Sequence, residues 1–248
     1  MKITLGGIRG TAPVTAEGFH EFGGDTTCLF VEASQGSRLI IDMGTGTRLI
    51  NQHLRRIQGS GPVTVLMTHY HLDHLMGIPS FSPLYDAGWS LQFIGPRLDG
   101  FPVEDVMHRL LAKPFWPLQM SSMQAAVAFA ELGAPGCEQG FSCGTLRITW
   151  ALVHHPGGCV AYRIDDTVTR SSMVFATDIE WGESTPEERA IFLDLCLKPA
   201  PAQLLLFDGQ FTPESIAKYK SWGHSSWMEG IQVAKQGGIH NLAVIHHS

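Results

Sequence analysis

Short apolar runs, separated by glycine, serine or polar turns, dominate the first two-thirds of the chain. Runs of this kind, rich in β-branched residues, are typical of β-strands. The N-terminal part predicts strands in KITLGG, TTCLFVEA and SRLIIDMG, and PVTVLM predicts a buried one. Later runs predict further strands in LQFIGP, GTLRITWALVHH, VAYRIDD, SMVFATD, LLLFDGQ and NLAVIHHS.

Segments with helical periodicity lie between these strands. In MGTGTRLINQHLRR, either Thr45 or Thr47 is placed to cap a helix whose apolar face is Leu49, Ile50 and Leu54. VEDVMHRLL also has the helical period, TPEERAIFLDLCLK has an acidic first turn, and HSSWMEGIQVAKQGG ends in a glycine pair. This order of elements predicts an α/β (α+β) fold with two packed sheets and helices outside them.

The domain prediction follows from length and uniform composition. The chain has 248 residues, enough to bury a sizeable core. It shows no internal repeat, no low-complexity tract and no serine- or glycine-rich linker. We therefore predict a single domain spanning residues 1–248.

Composition and charge exclude several classes of function. Seventeen basic and 23 acidic residues give a net charge of −6, which disfavours a large nucleic-acid-binding surface. MKITLGGIRG lacks the apolar core of a signal peptide, and no apolar run is long enough for a membrane span. We expect a cytoplasmic protein without a membrane partner. Its five cysteines form no CxxC pair, and we expect reduced thiols at Cys28, Cys137, Cys143, Cys159 and Cys196.

The segment THYHLDH, residues 68–74, carries the strongest chemical signal. In an extended segment, the HxH spacing places His69 and His71 on one side, so both can reach one ion. Asp73 and His74 follow a turn and can bind a second ion. Nitrogen and oxygen donors in this ratio suit Zn²⁺, with Mn²⁺ or Fe²⁺ as alternatives. The competing interpretation is an unliganded polar cluster at a strand end.

Further metal-binding side chains follow apolar runs later in the chain. VHHPGG offers His154 or His155, and VFATD offers Asp178. AVIHH offers a last pair, His246 or His247. Each alone has a structural explanation, as a turn residue or a helix cap, and spacing does not choose within either histidine pair. Together they provide the additional ligands that a site for two metal ions requires.

The motifs resemble those of the metallo-β-lactamase superfamily, whose HxHxDH signature is present here at residues 69–74. The segments GGDTTCLFVE, IIDMGTGTRL, HHPGGCVAYRI, VFATDIEWG, GHSS and VIHHS are similar to its phosphodiesterase branch, which includes ribonuclease Z and the phosphoribosyl cyclic phosphodiesterases. The resemblance implies a four-layer αββα sandwich with two divalent ions at one edge of the sheets. By that pattern the first ion takes His69, His71 and His155, the second takes Asp73, His74 and His246, and Asp178 bridges both.

The resemblance also implies catalytic roles. His224 lies in a GHS motif, where the family's histidine acts as an acid or base on the leaving group. From position alone, His224 could equally belong to the cap region of the following helix. The implied mechanism is attack on phosphorus by a hydroxide shared between the ions. Asp73 orients this nucleophile, and His224 protonates the leaving alkoxide.

The expected substrate is a small phosphodiester, either open or cyclic. The tRNA-gripping arm of ribonuclease Z is inserted between the third histidine block and the bridging aspartate. Here only two strands separate His155 from Asp178, so we expect tRNA not to be the substrate. The alternatives are hydrolysis of thioesters, lactones or β-lactams at the same site, and a non-catalytic metal-binding regulatory module. A redox di-iron protein would carry an acid in place of His71. Relatives suggest a homodimer.

Two secondary interpretations concern residues near these motifs. We interpret Asp208 in DGQFTPES as a turn residue rather than a ligand. Trp222 and Trp227 flank His224 and either line a pocket or pack in the interior.

Overall fold

The computed structural model describes residues 1–19, 21–57, 60–133 and 140–248. The chain divides into two compact units. The N-terminal unit contains residues 2–32 and 36–132, and the C-terminal unit contains Met1 with residues 33–35 and 133–248. The expectation of a single domain stays a prediction.

The described part of the N-terminal unit contains a six-stranded sheet in the order β1-β2-β3-β4-β5-β6. The first three strands pair antiparallel, and β3 to β6 are parallel neighbours. Parallel neighbours end at the same edge, so the segments that follow β3 and β4 begin close together. The strands are β1 Lys2–Gly7, β2 Cys28–Glu32, β3 Arg38–Ile41, β4 Pro62–Leu66, β5 Ser90–Gly95 and β6 Ala126–Glu131.

Two α-helices, α1 (Thr47–Arg56) and α2 (Val103–Leu110), belong to the described N-terminal unit. A core of fully buried side chains holds this unit together, with Phe30, Val65 and Phe93 among its members. Burial of apolar surface on this scale is the main stabilising contribution to such a unit. Single 3₁₀ turns occur at Leu72–His74, Ile78–Ser80, Ser82–Tyr85 and Met120–Ser122.

A second six-stranded sheet, in the order β12-β11-β10-β9-β8-β7, lies in the described part of the C-terminal unit. Strands β7 to β10 pair antiparallel, whereas β10, β11 and β12 run parallel and therefore end at one edge. The strands are β7 Phe141–Cys143, β8 Leu146–Val153, β9 Cys159–Asp166, β10 Ser172–Ala176, β11 Leu204–Asp208 and β12 Asn241–Ile245.

Helices α3 (Pro186–Leu197) and α4 (Trp227–Gln236) accompany this second sheet, and a 3₁₀ turn spans Ile216–Tyr219. Both helices begin with a capping box, in which a hydroxyl and a glutamate satisfy the free N–H groups of the first turn. The box of α4 joins Ser226 to Glu229, so the cap of α4 lies two residues after His224 and the helix begins at Trp227.

Three local predictions were wrong. The cap position of α1 is occupied by Gly46, which has no side chain to cap the helix, because Thr47 is already the first helical residue. Ile50 and Leu54 are buried as predicted, but Leu49 is 40% exposed. The HSSWMEGIQVAKQGG helix begins at Trp227 rather than at His224, because Ser226 takes the cap position.

Two further expectations concern cysteines and membranes. The described cysteines Cys28, Cys143, Cys159 and Cys196 form no disulfide with one another, and Cys137 lies outside the described residues. Burial raises the pKa of Cys28 and of Cys196 to about 12, so both remain protonated. Over the described ranges, every helix is too short or too polar to cross a bilayer.

Candidate metal centre

Three imidazoles converge in the loop that follows β4. The ring of His69 lies 4.6 Å from that of His71 and 4.3 Å from that of His74, measured between centroids. The 3₁₀ turn at Leu72–His74 produces this convergence, because it reverses the chain directly after the HxH segment. His69 and His74 are buried, whereas His71 is exposed.

Asp42, which the sequence reasoning did not identify, organises this loop. It follows β3 and is fully buried. Its carboxylate accepts hydrogen bonds from the backbone N–H of Thr68 and from the Thr68 hydroxyl, each at 2.8 Å. It also accepts from Nδ1 of His74 at 2.8 Å. One carboxylate therefore fixes both ends of the ligand-bearing segment.

These contacts determine which nitrogen of each imidazole carries its proton. The Thr68 hydroxyl has one hydrogen, which it donates to Asp42, so it accepts from Nδ1 of His69 at 3.0 Å. Nδ1 of His74 likewise donates to Asp42. In both rings this leaves the lone pair on Nε2, which is the arrangement that metal-binding histidines use.

Asp73 is held by both its side chain and its backbone. Its Oδ2 accepts the N–H of Thr11 at 2.8 Å and lies 3.4 Å from Nε2 of His74. Its carbonyl accepts the hydroxyl of Thr26 at 2.7 Å. Gly44 must lack a side chain here, since a Cβ would lie 2.3 Å from that carbonyl oxygen.

In the C-terminal unit, the candidate ligands lie at the ends of parallel strands. Asp178 follows β10, Asp208 ends β11, and His246 follows β12. Nε2 of His246 is 3.0 Å from one oxygen of Asp178, and Nε2 of His155 is 3.9 Å from the other. Asp178 therefore presents a separate oxygen to each of two imidazoles, as a bridging carboxylate would.

The geometry distinguishes the members of the pair at 154 and 155. His155 is buried, and its Nδ1 donates to the carbonyl of Gly223 at 2.8 Å, which leaves Nε2 on the side of Asp178. His154 instead places Nδ1 3.2 Å from Glu188 at the start of α3. Gly223 has a φ of +88°, and a Cβ there would lie 2.1 Å from Nδ1 of His155.

His224 is paired with a buried carboxylate. Its Nδ1 donates to Oδ2 of Asp208 at 2.9 Å, and its ring lies 5.5 Å from that of His155 and 4.9 Å from that of His246. The other oxygen of Asp208 accepts the N–H of Ser225 at 3.1 Å. Reading Asp208 as a turn residue was therefore wrong, because Asp208 ends a strand and is fully buried.

The same neighbourhood allows His224 a second role. One side-chain atom from each of Asp178, Asp208, His224 and His246 lies within 4.8 Å of the others, a spacing that would also allow a metal ion. His224 is therefore placed either to bind a metal or to exchange a proton beside one. Measuring metal content in a His224 variant separates these roles.

Glu180 was also missed by the sequence reasoning. This buried carboxylate accepts the N–H of Ser221 at 2.6 Å and that of Gly223 at 2.8 Å, and so holds the loop that carries His224. Trp222, which lies between those two residues, is 59% exposed, so it does not pack in the interior. The ring of Trp222 stands edge-on to that of Tyr219 at 5.1 Å.

Comparisons with known proteins agree with this geometry. A family model described as "Metallo-beta-lactamase superfamily" matches residues 22–107. The metallo-β-lactamase fold protein YhfI from Bacillus subtilis superposes with a TM-score of 0.70, at 19% identity, over 99% of this chain and 85% of that one. The resemblance of the chain to the metallo-β-lactamase superfamily is therefore confirmed. The predicted fold class is thereby confirmed.

Within the superfamily, the similar proteins include ribonucleases Z and a phosphatase. Ribonuclease Z of Haloferax volcanii is 25% identical over 288 aligned positions, covering 100% of this chain and 84% of that protein. Human tRNase Z, short form, superposes with a TM-score of 0.71 at 17% identity, over 100% of this chain and 93% of that one. A diphosphatase from the PhnP family gives 0.68 at 16% identity, over 99% and 85%. The predicted resemblance to the phosphodiesterase branch is confirmed, and these similar proteins support a metal-dependent hydrolase.

The side chains of this candidate site fit divalent cations. His74 and His155 each donate Nδ1 to a fixed oxygen and keep Nε2 available for an ion. Asp73 and Asp178 are buried carboxylates beside imidazoles, an arrangement whose negative charge a cation would balance. A nitrogen and oxygen donor set without thiolate suits zinc and its neighbours in the transition series.

Proposed function

We propose that the protein is a phosphodiesterase that cleaves a small phosphodiester with the help of two divalent metal ions, zinc in the first instance. The ions are bound by the ligand set that the superfamily's motif predicts. The match of residues 22–107 to the metallo-β-lactamase superfamily model supports this proposal, as does the similarity to proteins named ribonuclease Z. The proposed ligands are His69, His71, Asp73, His74, His155, Asp178 and His246.

The pairing of His224 with Asp208 is the observation that carries the proposal. Cleavage of a phosphodiester creates an alkoxide, which leaves readily only if a proton reaches it. A carboxylate on Nδ1 stabilises the protonated imidazole and fixes the direction of its Nε2–H. Hydrolysis of a thioester depends less on such an acid, because a thiolate is a better leaving group than an alkoxide.

In the proposed reaction each residue has one task. The ions, when bound, acidify water and neutralise charge on the phosphoryl oxygens. Asp73, held by the N–H of Thr11, accepts the proton of the attacking water. The water oxygen bonds to phosphorus opposite the leaving oxygen while the P–O bond breaks. His224 then donates its Nε2 proton to that leaving oxygen.

A small substrate is proposed in preference to tRNA for two reasons. The net charge of −6 opposes binding of a long polyanion. The segment between His155 and Asp178 is occupied by β9 and β10, which pair with each other, and this leaves no residues there for a protruding arm.

The test is hydrolysis of bis-p-nitrophenyl phosphate by metal-loaded protein, with metal per chain counted on the same sample. We expect about two ions per chain and turnover that His71→Ala abolishes. His154→Ala is the matched control, since His154 lies beside His155 but contacts Glu188. A panel of thioester, lactone and β-lactam substrates and a precursor tRNA is assayed in parallel.

Three outcomes would contradict the proposal. Bound metal with turnover of a lactone or thioester but of no diester would assign the site to another hydrolysis. Bound metal without any turnover would indicate a binding module. Faster cleavage of precursor tRNA than of small diesters would retain the phosphodiester chemistry and overturn the proposed substrate size.

A further inference from the structure

A largely apolar pocket of about 490 Å³ lies within the N-terminal unit. This volume falls in the range of small-molecule sites. Exposed apolar surface of this kind is costly unless something covers it. The pocket is lined by Tyr70, Leu72, Leu75, Phe101, Val106, Arg109, Leu110 and Phe115.

The pocket begins on the segment that carries the proposed metal ligands. Tyr70 and Leu72 alternate with His69, His71 and Asp73 along the chain. Leu72 also begins the 3₁₀ turn that carries Asp73 and His74, so the pocket wall and the proposed ligands belong to one short segment. Leu72 is 67% exposed, so its side chain is available to a bound molecule.

Tyr70 offers the pocket a ring rather than a free hydroxyl. Its hydroxyl donates to the carbonyl of Pro96. Gly95 makes room for it, since a Cβ at that position would lie 2.6 Å from the tyrosine oxygen.

The opposite wall adds aromatic rings and one fixed positive charge. Val106, Arg109 and Leu110 come from α2. The Arg109 guanidinium lies 4.4 Å from the centroid of the Phe101 ring, a cation–π contact that holds it at the pocket. Phe115 is 79% exposed at the same pocket. An occupant would therefore meet rings and aliphatic side chains together with a guanidinium.

We propose that this pocket binds an aromatic ring of the phosphodiester substrate, attached through the ester oxygen that does not leave. The proposal rests on the proposed function and adds the substrate class. Continuity with the ligand-bearing segment supports it, because the ring then lies beside the phosphate. Charge complementarity supports it too, since a diester carries a negative charge and Arg109 a positive one.

The test uses two substrates with the same leaving group, methyl 4-nitrophenyl phosphate and phenyl 4-nitrophenyl phosphate. Both release the same nitrophenolate, so their difference reports the other alcohol. We expect the metal-loaded protein to favour the phenyl ester about tenfold in kcat/KM, the effect of about 1.4 kcal/mol of ring binding. Phe115→Ala should remove most of this preference, and Leu72→Ala should reduce it.

Two control variants sharpen the result. Leu118→Ala removes a comparably exposed apolar side chain that does not line the pocket, and should leave the preference unchanged. Arg109→Gln should lower kcat/KM for both esters by a similar factor, because it removes attraction for the shared negative charge. Binding of phenyl phosphate and of methyl phosphate is measured by calorimetry on the same proteins, independently of turnover.

The outcomes separate this proposal from the proposed function. Turnover of both esters without a phenyl preference would overturn the pocket assignment and leave the phosphodiesterase intact. Tighter binding of phenyl phosphate that is lost in Phe115→Ala, but without turnover, would support the pocket and overturn the function. If Phe115→Ala changes the oligomeric state in sedimentation but not ester preference, the pocket is a contact between copies and the proposal fails.

Discussion

At the scale of single residues, a substitution of His224 tests the proposed chemistry most directly. We expect His224→Ala to lower kcat by a factor of about 10² to 10⁴, the usual contribution of a general acid, with metal content unchanged. Activity on a diester whose leaving group is an unactivated alcohol, together with metal analysis of the same sample, measures this. Loss of an ion along with activity would instead make His224 a ligand, as its closeness to Asp178 and His246 allows.

Asp208 acts on the reaction through His224. Asp208→Asn removes the negative charge that favours the imidazolium, so His224 should lose its proton at a lower pH. We expect kcat to fall about 10- to 100-fold and the alkaline limb of the pH–rate profile to move to lower pH. Asp208→Glu should restore part of the alkaline limb. An unchanged pH profile with reduced activity would indicate a purely structural role.

Asp42 should control metal affinity rather than the proton transfers. Asp42→Asn replaces the shared acceptor of Thr68 and His74, and we expect metal to bind about 10- to 100-fold more weakly. Competition with a chelator measures this affinity. Asp99→Asn is the matched control, because Asp99 is an exposed aspartate that also has a positive φ. Equal effects of the two substitutions would contradict the assigned role of Asp42.

At the scale of elements, the loop before α4 links a ligand to the acid. Gly223 accepts from His155, donates to Glu180 and precedes His224. We expect Gly223→Ala to abolish activity, since its Cβ would overlap Nδ1 of His155. Gly100→Ala has a similar positive φ with open space around it, so it should cost about 1 kcal/mol of stability without affecting activity. Activity assays and thermal melts of both variants distinguish these effects.

Elements that bury an apolar run were predictable from sequence, and those without one were not. Strands such as β4, β10 and β11 are buried along nearly their whole length, so their runs are unbroken. The sequence reasoning missed β6, whose residues alternate between exposed and half-buried and include three alanines, and β7, which has three residues. Short or half-exposed edge strands lack the continuous apolar run by which buried strands are recognised in a sequence.

The residues of the candidate site also differ in whether the sequence predicted them. The motif spacing and the family resemblance proposed the ligand positions, because those residues stand in short, dense patterns. The orienting carboxylates of Asp42, Asp208 and Glu180 do not belong to a short metal-binding motif. Asp42 contacts Thr68, 26 positions away, and Glu180 contacts Gly223, 43 positions away. A carboxylate that orients a histidine becomes recognisable only when folding brings the two together.

At the scale of the whole molecule, metal should couple to stability. The buried carboxylates Asp73, Asp178 and Asp208 carry charge that bound cations would balance. We expect removal of metal to lower the melting temperature, and metal at 100 times its dissociation constant to restore about 2.7 kcal/mol. Thermal melts with and without chelator measure the change. Asp178→Asn should respond to chelator less than the parent protein, and an equal response would contradict its role as a ligand.

Two residues at the proposed site, one aspartate and one histidine, have an unusual backbone conformation. Asp42 has a φ of +56° and His246 a φ of +63°, in the left-handed region that side chains other than glycine rarely adopt. Such a conformation costs a non-glycine residue about 1 kcal/mol or more. Glycine at either position would relieve this cost while deleting a functional group. At Asp42 the three accepted hydrogen bonds outweigh that cost. Laboratory evolution for thermal resistance in the presence of chelator, where a ligand contributes no metal binding, should therefore enrich glycine at position 246, and so discard a ligand while improving the fold.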